Sequence, residues 1–100
     1  MMRACVVGWL GRDPDVKRVQ DATVMELAVR IALGRGKGYQ WVRLHLWSKY
    51  LQSRAADLRK GDRLIAWGVM TLRAYDNNGQ PQATADMRCD DLSPLTDGAQ

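Results

Sequence analysis

Apolar and polar residues alternate along most of the chain, which is the pattern of β-strands that bury one face and expose the other. The alternation is clearest around Met25, Leu27, Val29 and Ile31, which share one face of a predicted strand. Five segments fit a strand in this way: residues 3–10, 24–32, 40–48, 63–75 and 82–92. The sequence therefore predicts a protein built mainly of β-structure.

One segment changes period after the third strand. Leu51, Ala55 and Leu58 are spaced as i, i+4 and i+7, which places them on one face of a helix over residues 49–59. Ser48 precedes this segment and is of a residue type that caps helix N-termini. We therefore predict a single short helix between the third and fourth strands.

Turn-forming residues separate the strands at residues 13–14, at the glycine-rich residues 34–38 and at the Asp-Asn-Asn-Gly hairpin of residues 76–79. The predicted order is three strands, one helix and two strands. This is the order of a five-stranded OB-fold barrel, an all-β fold with one short helix whose sheet face and loops commonly bind oligonucleotides. We assign this domain to residues 1–92 and expect a short, irregular C-terminal end over residues 93–100.

Basic residues are concentrated in the middle of the chain. The 100 residues carry a net charge of +4, with a pI near 9.4. Residues 30–63 alone hold nine basic and two acidic residues, whereas residues 1–29 are neutral overall and residues 64–100 are acidic. This concentration favours a polyanionic partner, because binding to phosphates releases condensed counterions. The alternative is a basic protein with a solvated charged face.

The chain offers few groups for metal binding or catalysis. It has two cysteines, Cys5 and Cys89, and one histidine, His45, which do not make up the usual four-ligand zinc site. We expect both thiols to be reduced and buried in strands. The sequence shows no nucleophile and base pattern and no phosphate-binding loop motif. We therefore predict a non-enzymatic protein without a metal or cofactor.

The sequence gives no sign of export or of membrane insertion. Its first residues carry one cation and a short apolar stretch that Gly8 interrupts, so no secretory segment is visible. No apolar run approaches the roughly 20 residues that cross a bilayer. We expect a cytoplasmic protein with no membrane partner.

The strand over residues 40–48 carries the candidate binding surface. Period-two geometry places one set of side chains on the core face: Val42, Leu44 and Leu46. It places the other set together on the opposite face: Trp41, Arg43, His45 and Trp47. Exposed indoles that alternate with a cation are typical of single-stranded nucleic-acid binding, in which bases stack on rings and phosphates pair with cations. We expect His45 to be a hydrogen-bonded residue of this face rather than a ligand.

Each aromatic residue also has a structural interpretation. Trp41 and Trp47 would suit an oligomer interface, since such interfaces also bury aromatic rings. Tyr75 would then cap one end of the barrel. Trp9 and Trp67 each have two interpretations, a subunit contact and a nucleic-acid contact, and the sequence does not decide between them.

The glycine-rich loop is basic. Arg35 and Lys37 alternate with Gly34, Gly36 and Gly38. This composition suits a flexible phosphate clamp, and it equally suits a plain solvated hairpin.

Five motifs, in order along the chain, resemble those of bacterial-type single-stranded-DNA-binding proteins. They are the Gly-Trp-Leu-Gly-Arg-Asp-Pro-Asp-Val-Lys segment and four later segments, at residues 8–17, 41–49, 58–62, 68–75 and 76–80. The resemblance covers residues 3–92. It implies an OB-fold that commonly forms a homotetramer, binds single-stranded DNA with little sequence preference, and serves DNA replication, recombination and repair.

The resemblance also implies a set of site residues. The family's stacking aromatic residues correspond to Trp41, Trp47 and Tyr75. Its phosphate-binding cations correspond to Arg3, Arg43, Lys49, Lys60 and Arg73. To these the loop adds the candidate cations Arg35 and Lys37.

The chain differs from the family pattern at its second loop and at its end. The glycine cluster stands where the family often has a further tryptophan, so one stacking site is expected to be missing. The sequence ends at Gln100 without the family's linker and acidic tip. We therefore expect a tailless version, natural or trimmed, that does not recruit replication and repair enzymes through that tip.

Two other functions fit the same predicted fold. An accessory replication-restart protein of the primosomal type would use the barrel mainly for protein contacts and would bind DNA weakly. An RNA-binding OB module, such as a cold-shock protein, would carry similar aromatic strands, but cold-shock domains lack the predicted helix. The ordered motifs favour single-stranded DNA as the partner.

Overall fold

The computed structural model describes residues 1–95, which form six strands and one short helix. In chain order these are β1 (Met2–Leu10), β2 (Asp15–Val19), β3 (Ala22–Ala32), β4 (Tyr39–Leu46), α1 (Lys49–Ala55), β5 (Arg63–Asn77) and β6 (Gln80–Leu95). All five predicted strands are present, and their ends differ from the predicted ends by at most three residues.

Five of the strands close into a ring in the order β1, β5, β6, β4 and β3. The ring closes where the end of β1 pairs with β3, with Trp9 opposite Arg30 and Leu10 opposite Val29. β4 and β6 run parallel, and the other neighbours in the ring are antiparallel. With the single helix, this closed ring confirms the predicted all-β fold, a five-stranded OB-fold barrel.

Alternate residues of the ring strands point inward and form the core. In β4 these are Val42, Leu44 and Leu46, each at most 2% exposed, as the strand pattern predicts. The other ring strands contribute further buried side chains: Leu10, Leu27, Val29, Leu64, Met87 and Leu92. Full burial of a side chain of this kind stabilises a fold by roughly 1.5–3 kcal/mol. Because the even-numbered positions of β4 are fixed in the core, its odd-numbered positions face outward.

The helix begins where the sequence predicts and ends early. The backbone N–H of Leu51 donates to Ser48 Oγ at 3.1 Å, which makes Ser48 the N-cap. The helix ends at Ala55 rather than at residue 59, because the N–H of Leu58 then bonds only three residues back, to Ala55 O at 3.1 Å. Leu51, Ala55 and Leu58 are buried as expected. Within the described residues no helix is long and apolar enough to span a membrane.

The strands differ from the sequence prediction at two places. The alternation pattern does not predict β2, because four of its five residues are exposed and it pairs only with β3 at the edge of the sheet. The chain is also not irregular from residue 93, since β6 continues to Leu95, with Pro94 opposite Leu64. Proline is accommodated there because β6 has a strand neighbour on only one side at that point. Residues 96–100, the rest of the predicted irregular end, lie outside the described residues.

The two cysteines differ in burial, which corrects one expectation. Cys89 is buried, whereas Cys5 is exposed. The inward positions of β1 are even-numbered and include Val6 and Leu10, so Cys5 points outward, opposite Trp67 of β5. Both are free thiols in the structure.

Candidate nucleic-acid interface

The outward faces of β4, β5 and β6 border an open groove of about 690 Å³. Four of the predicted site residues line it: Trp41, Arg43, Arg73 and Tyr75. Both rings are half open to solvent, with exposed fractions of 52% for Trp41 and 49% for Tyr75. The structure therefore brings together aromatic rings and guanidinium groups from two separate segments of the sequence.

The strand register explains why these residues meet. β4 lies beside β6, with Arg43 opposite Asp86. On its other side β6 lies beside β5, where Asp86 is opposite Thr71. Opposed positions point to the same face of a sheet, and so do residues two apart along one strand. Arg73 and Tyr75 of β5 therefore lie on the outer face together with Arg43.

The indole of Trp41 packs against the backbone of Gly11, in the turn after β1. A Cβ atom at residue 11 would overlap Cη2 and Cζ3 of this ring. Gly11 itself is held in place, because its N–H donates to the carbonyl oxygen of Ala28 at 2.9 Å. The lack of a side chain at Gly11 thus allows the indole to lie along the groove wall while half of its surface stays open.

The groove lining is positively charged. Its charged residues are Arg12, Arg43, Arg73 and Asp86, which gives a net formal charge of +2. Arg73 Nη2 lies 3.8 Å from Asp86 Oδ2, and an exposed ion pair of this length contributes little. Within residues 1–95, Arg12 and Arg43 have no carboxylate partner. These two guanidinium groups are therefore available to an anion.

His45 lies on the outer face of β4 and is hydrogen-bonded, as expected. Its Nε2 donates to Asp86 Oδ1 at 3.0 Å, and its Nδ1 lies 3.7 Å from Glu26 Oε2. Glu26 also pairs with Lys17 at 3.1 Å. Among the residues that the structure describes, no group of three or more His, Cys, Asp and Glu side chains is placed to hold a metal ion.

Trp47 and Lys49 lie beyond the end of β4 that is farther from the groove. Trp47 follows the last residue of β4 and is 47% exposed. Lys49 is exposed at the start of α1. Six residues of extended chain separate Trp41 from Trp47, which corresponds to about 20 Å. The two indoles therefore cannot stack on the same base, and the role of Trp47 and Lys49 stays a prediction.

The remaining predicted cations are not part of the groove lining. Arg3 is on β1, and its Nη1 pairs with Asp90 Oδ2 at 3.1 Å. Lys60 is exposed in the segment between α1 and β5. Arg35 and Lys37 are exposed in the loop between β3 and β4, which two backbone hydrogen bonds close. The roles of these four cations as phosphate contacts stay predictions.

Sequence reasoning missed one aromatic residue and one cation of the groove, Tyr39 and Arg12. Tyr39 is the first residue of β4 and is 57% exposed. It shares the strand parity of Trp41 and Arg43, so the alternation contains the signal once the strand is extended by one residue. Arg12 follows Gly11 in a turn, where no periodicity applies, and only the folded ring places it at the groove.

The outer faces of β1 and β5 form a second surface, the β1–β5 face, which is largely apolar. Trp67 and Val7 are 41% and 40% exposed there, and Cys5 lies opposite Trp67. Trp9 lies half-buried at one end of this face, with Arg63 Cζ 5.3 Å from the centroid of its ring. Neither tryptophan lines the groove, so the β1–β5 face is a surface separate from it.

The chain resembles known proteins in its sequence and in its fold. Residues 1–95 match the single-strand binding protein family. A single-stranded DNA-binding protein of Chlamydia trachomatis serovar D is 27% identical over 96 residues, which cover 92% of this chain. The chain spans 61% of the length of that curated relative.

Two solved structures share the fold. A small single-stranded DNA-binding protein from Streptomyces coelicolor aligns with a TM-score of 0.68 at 16% identity, over 94% of each chain. A Plasmodium falciparum SSB in complex with ssDNA aligns with a TM-score of 0.69 at 21% identity, over 96% of each chain. These likenesses establish the fold, and the family match extends over every residue that the structure describes. The chain therefore belongs to the single-strand binding protein family.

Proposed function

We propose that this protein binds single-stranded DNA along the groove beside β4, largely independently of base sequence. The observation that carries the proposal is the groove, where half-exposed Trp41 and Tyr75 lie with Arg43 and Arg73. Membership in the single-strand binding protein family supports it, and one structure with the same fold is a complex with ssDNA. The proposed role is non-catalytic and serves DNA replication, recombination or repair in the cytoplasm.

Base stacking would supply the sequence-independent part of the affinity. Every base has a flat π-face, so the rings of Trp41 and Tyr75 can accept any of them, at about 1–3 kcal/mol per stacked base. The arginines of the groove would neutralise phosphates, and each such contact makes the affinity fall more steeply with salt. The two contributions are separable, because only the phosphate contacts release counterions.

We propose further that the DNA follows the outer face of β4 from the groove to the start of α1. This path joins Trp41 to Trp47 and Lys49 over about 20 Å. An oligonucleotide too short to span that distance should respond to Trp41→Ala and not to Trp47→Ala. A longer one should respond to both substitutions.

Fluorescence anisotropy of labelled oligo-dT, measured at several salt concentrations, tests the groove. With the shortest oligo-dT that the wild type binds, Trp41→Ala should weaken binding by about 1–3 kcal/mol without changing the salt dependence. Arg43→Gln should reduce the slope of log affinity against log salt by about 0.7. The matched controls are Tyr50→Ala and Arg18→Gln, which alter an exposed ring and an exposed cation outside the groove. They should change neither quantity.

Failure of the folded wild type to bind oligo-dT would contradict the proposal. Equal losses in the groove variants and in their controls would contradict it as well, because the effect would then not be local to the groove. Stronger binding to RNA of the same length would favour the RNA-binding alternative. The comparisons name single-stranded DNA-binding proteins and do not favour the replication-restart alternative.

We also propose that the protein forms a homo-oligomer in which the β1–β5 face is buried between copies. A tetramer is the expected state, and a dimer is the alternative. The exposed Trp67 and Val7 support this, since burial of apolar surface is the main favourable contribution to most protein association. Residues 2–8 of β1 support it too, because within the described chain they pair with β5 on one side only.

Light scattering coupled to gel filtration measures the oligomeric state directly. We expect Trp67→Glu to lower the mass in solution, because a charge on the β1–β5 face opposes its burial. A wild type that stays monomeric at micromolar concentration would contradict the oligomer.

A further inference from the structure

We propose that Tyr39, held by Arg30, is a further base-stacking residue that extends the groove toward the loop between β3 and β4. The inference rests on the proposed function, because it adds a ring to the same nucleic-acid path. It concerns the end of the groove where a stacking site is expected to be missing, since the loop of residues 34–38 has no aromatic side chain.

Tyr39 is placed as an element of the groove wall. It begins β4, two residues before Trp41, and both rings project from the outer face of that strand. Two residues of extended chain correspond to about 7 Å, so the two rings are neighbours. Tyr39 is 57% exposed, slightly more than Trp41 at 52%. A base could therefore reach either ring from the groove.

Arg30 fixes the position of the ring. Its guanidinium lies over the Tyr39 ring, with Cζ 4.6 Å from the ring centroid, which is within the range of cation–π attraction. Arg30 lies on β3 opposite Trp41, and Ala32 lies opposite Tyr39, so the arginine reaches the ring diagonally across the two strands. Arg30 covers one face of the ring, and because 57% of the residue is exposed, we expect a base to stack on the other face.

Arg30 also supplies charge at this position. Within residues 1–95 it has no carboxylate partner. A guanidinium beside a stacked base lies close to where the phosphate of the same nucleotide must pass. The pair therefore combines the two contacts that single-stranded nucleic acid requires, a flat ring and a cation.

The loop that precedes Tyr39 is open around two of its glycines. A Cβ atom added at Gly38, the residue before Tyr39, would meet nothing within 4 Å, and the same holds at Gly36. Tyr39 itself is 57% exposed, so the side chains of the loop leave more than half of its surface open. The short glycine-rich loop thus has no aromatic side chain of its own, and Tyr39, which directly follows it, is exposed.

Tyr50 provides a matched comparison within the same protein. It is 64% exposed, and Arg54 Cζ lies 5.8 Å from its ring centroid, so its local surroundings are similar. Tyr50 is on α1 and does not line the groove. A tyrosine beside an arginine is therefore not by itself a stacking site. Tyr39 differs from Tyr50 because it lies on the groove wall.

The experiment measures the affinity of Tyr39→Ala, Tyr39→Phe and Tyr50→Ala for the shortest oligo-dT that the wild type binds. Loss of one stacked base should weaken binding about fivefold or more in Tyr39→Ala, with an unchanged salt slope. Tyr39→Phe should bind like the wild type, because stacking needs the ring and not the hydroxyl. Tyr50→Ala should also bind like the wild type.

The outcomes separate this inference from the proposed function. If Trp41→Ala weakens binding and Tyr39→Ala stays within twofold of the wild type, the inference is overturned and the proposed function stands. If the wild type does not bind oligo-dT, both fall. Photocrosslinking of an iodouracil-containing oligonucleotide is a second test. It uses the unmutated protein, so its result does not depend on whether a variant folds. An adduct on Tyr39 supports the inference, and adducts restricted to Trp41 and Tyr75 overturn it.

Discussion

Replacing Gly11 by alanine should weaken DNA binding more than it weakens the fold, because the new methyl group displaces the indole of Trp41. A Cβ atom at residue 11 would overlap two atoms of that ring, Cη2 and Cζ3, and would lie 3.6 Å from Cζ2. Alanine itself fits the backbone there, since Gly11 is not among the glycines with positive φ. The ring must therefore move, and its open side allows it to swing toward solvent.

The expected magnitudes follow from how Trp41 is held. An indole that is 52% exposed can move without leaving a cavity in the core, so the stability cost should fall at or below the low end of the 1–3 kcal/mol typical of overpacking. The loss of affinity should approach that of Trp41→Ala, about 1–3 kcal/mol for one stacked base. In the double variant, Gly11→Ala should add little to the loss of affinity that Trp41→Ala causes, because both changes act through the same ring.

Gly68→Ala is the matched control, because its methyl group meets the barrel and not the groove. A Cβ atom there would collide with the carbonyl oxygen of Arg88 and lie 2.9 Å from Met87 Cγ. This variant should lower the unfolding midpoint in denaturant, and its folded fraction should bind oligo-dT like the wild type. For Gly11→Ala, an affinity within twofold of the wild type together with unchanged tryptophan emission would refute the reasoning.

Two further changes test the charge of the groove and the burial of a thiol. Asp86→Asn removes the carboxylate beside Arg73, so oligo-dT should bind several-fold more tightly with a salt slope steeper by up to about 0.7; an unchanged slope would contradict this. Burial raises the pKa of the Cys89 thiol to about 11. Above the ordinary thiol pKa of about 8.5, the unfolded chain loses a proton that the folded chain keeps. The free energy of unfolding should therefore fall toward pH 11, by up to about 1.4 kcal/mol per pH unit relative to that of Cys89→Ala. At neutral pH a thiol reagent should modify Cys89 only on unfolding, because its side chain is buried within the barrel; modification of Cys89 in the folded protein would contradict the assigned burial.

The outer face of β4 is predictable from the sequence because the parity of a strand is a local property. Val42 and Leu44 alternate with Trp41 and Arg43, and this alternation alone tells the inside of the sheet from the outside. The N-cap at Ser48 is local in the same sense. These features depend on a few neighbouring residues and need no knowledge of the partner strands.

Contacts between strands are not predictable in this way. Tyr75 reaches the groove of Trp41 only because β6 lies between β4 and β5 in the ring, and the spacing of residues along the chain does not encode that order. Arg3 shows the same limit, because its place opposite Val69 of β5 and its ion pair with Asp90 of β6 depend on that strand order. β2 is missed for a third reason, since a solvated edge strand has no buried face to produce an alternation.

The charge along the outer face of β4 indicates how a DNA strand would lie on it. Arg43 and Lys49 are cations near the two ends of the proposed path, and His45 lies between them, 3.0 Å from Asp86 and 3.7 Å from Glu26. Two carboxylates beside one imidazole make the middle of the face less positive than its ends. Phosphates are repelled there and uncharged bases are not, so we expect phosphates over Arg43 and Lys49 and a base over His45. This arrangement is the reason that removal of the Asp86 charge should strengthen binding rather than only disturb the sheet.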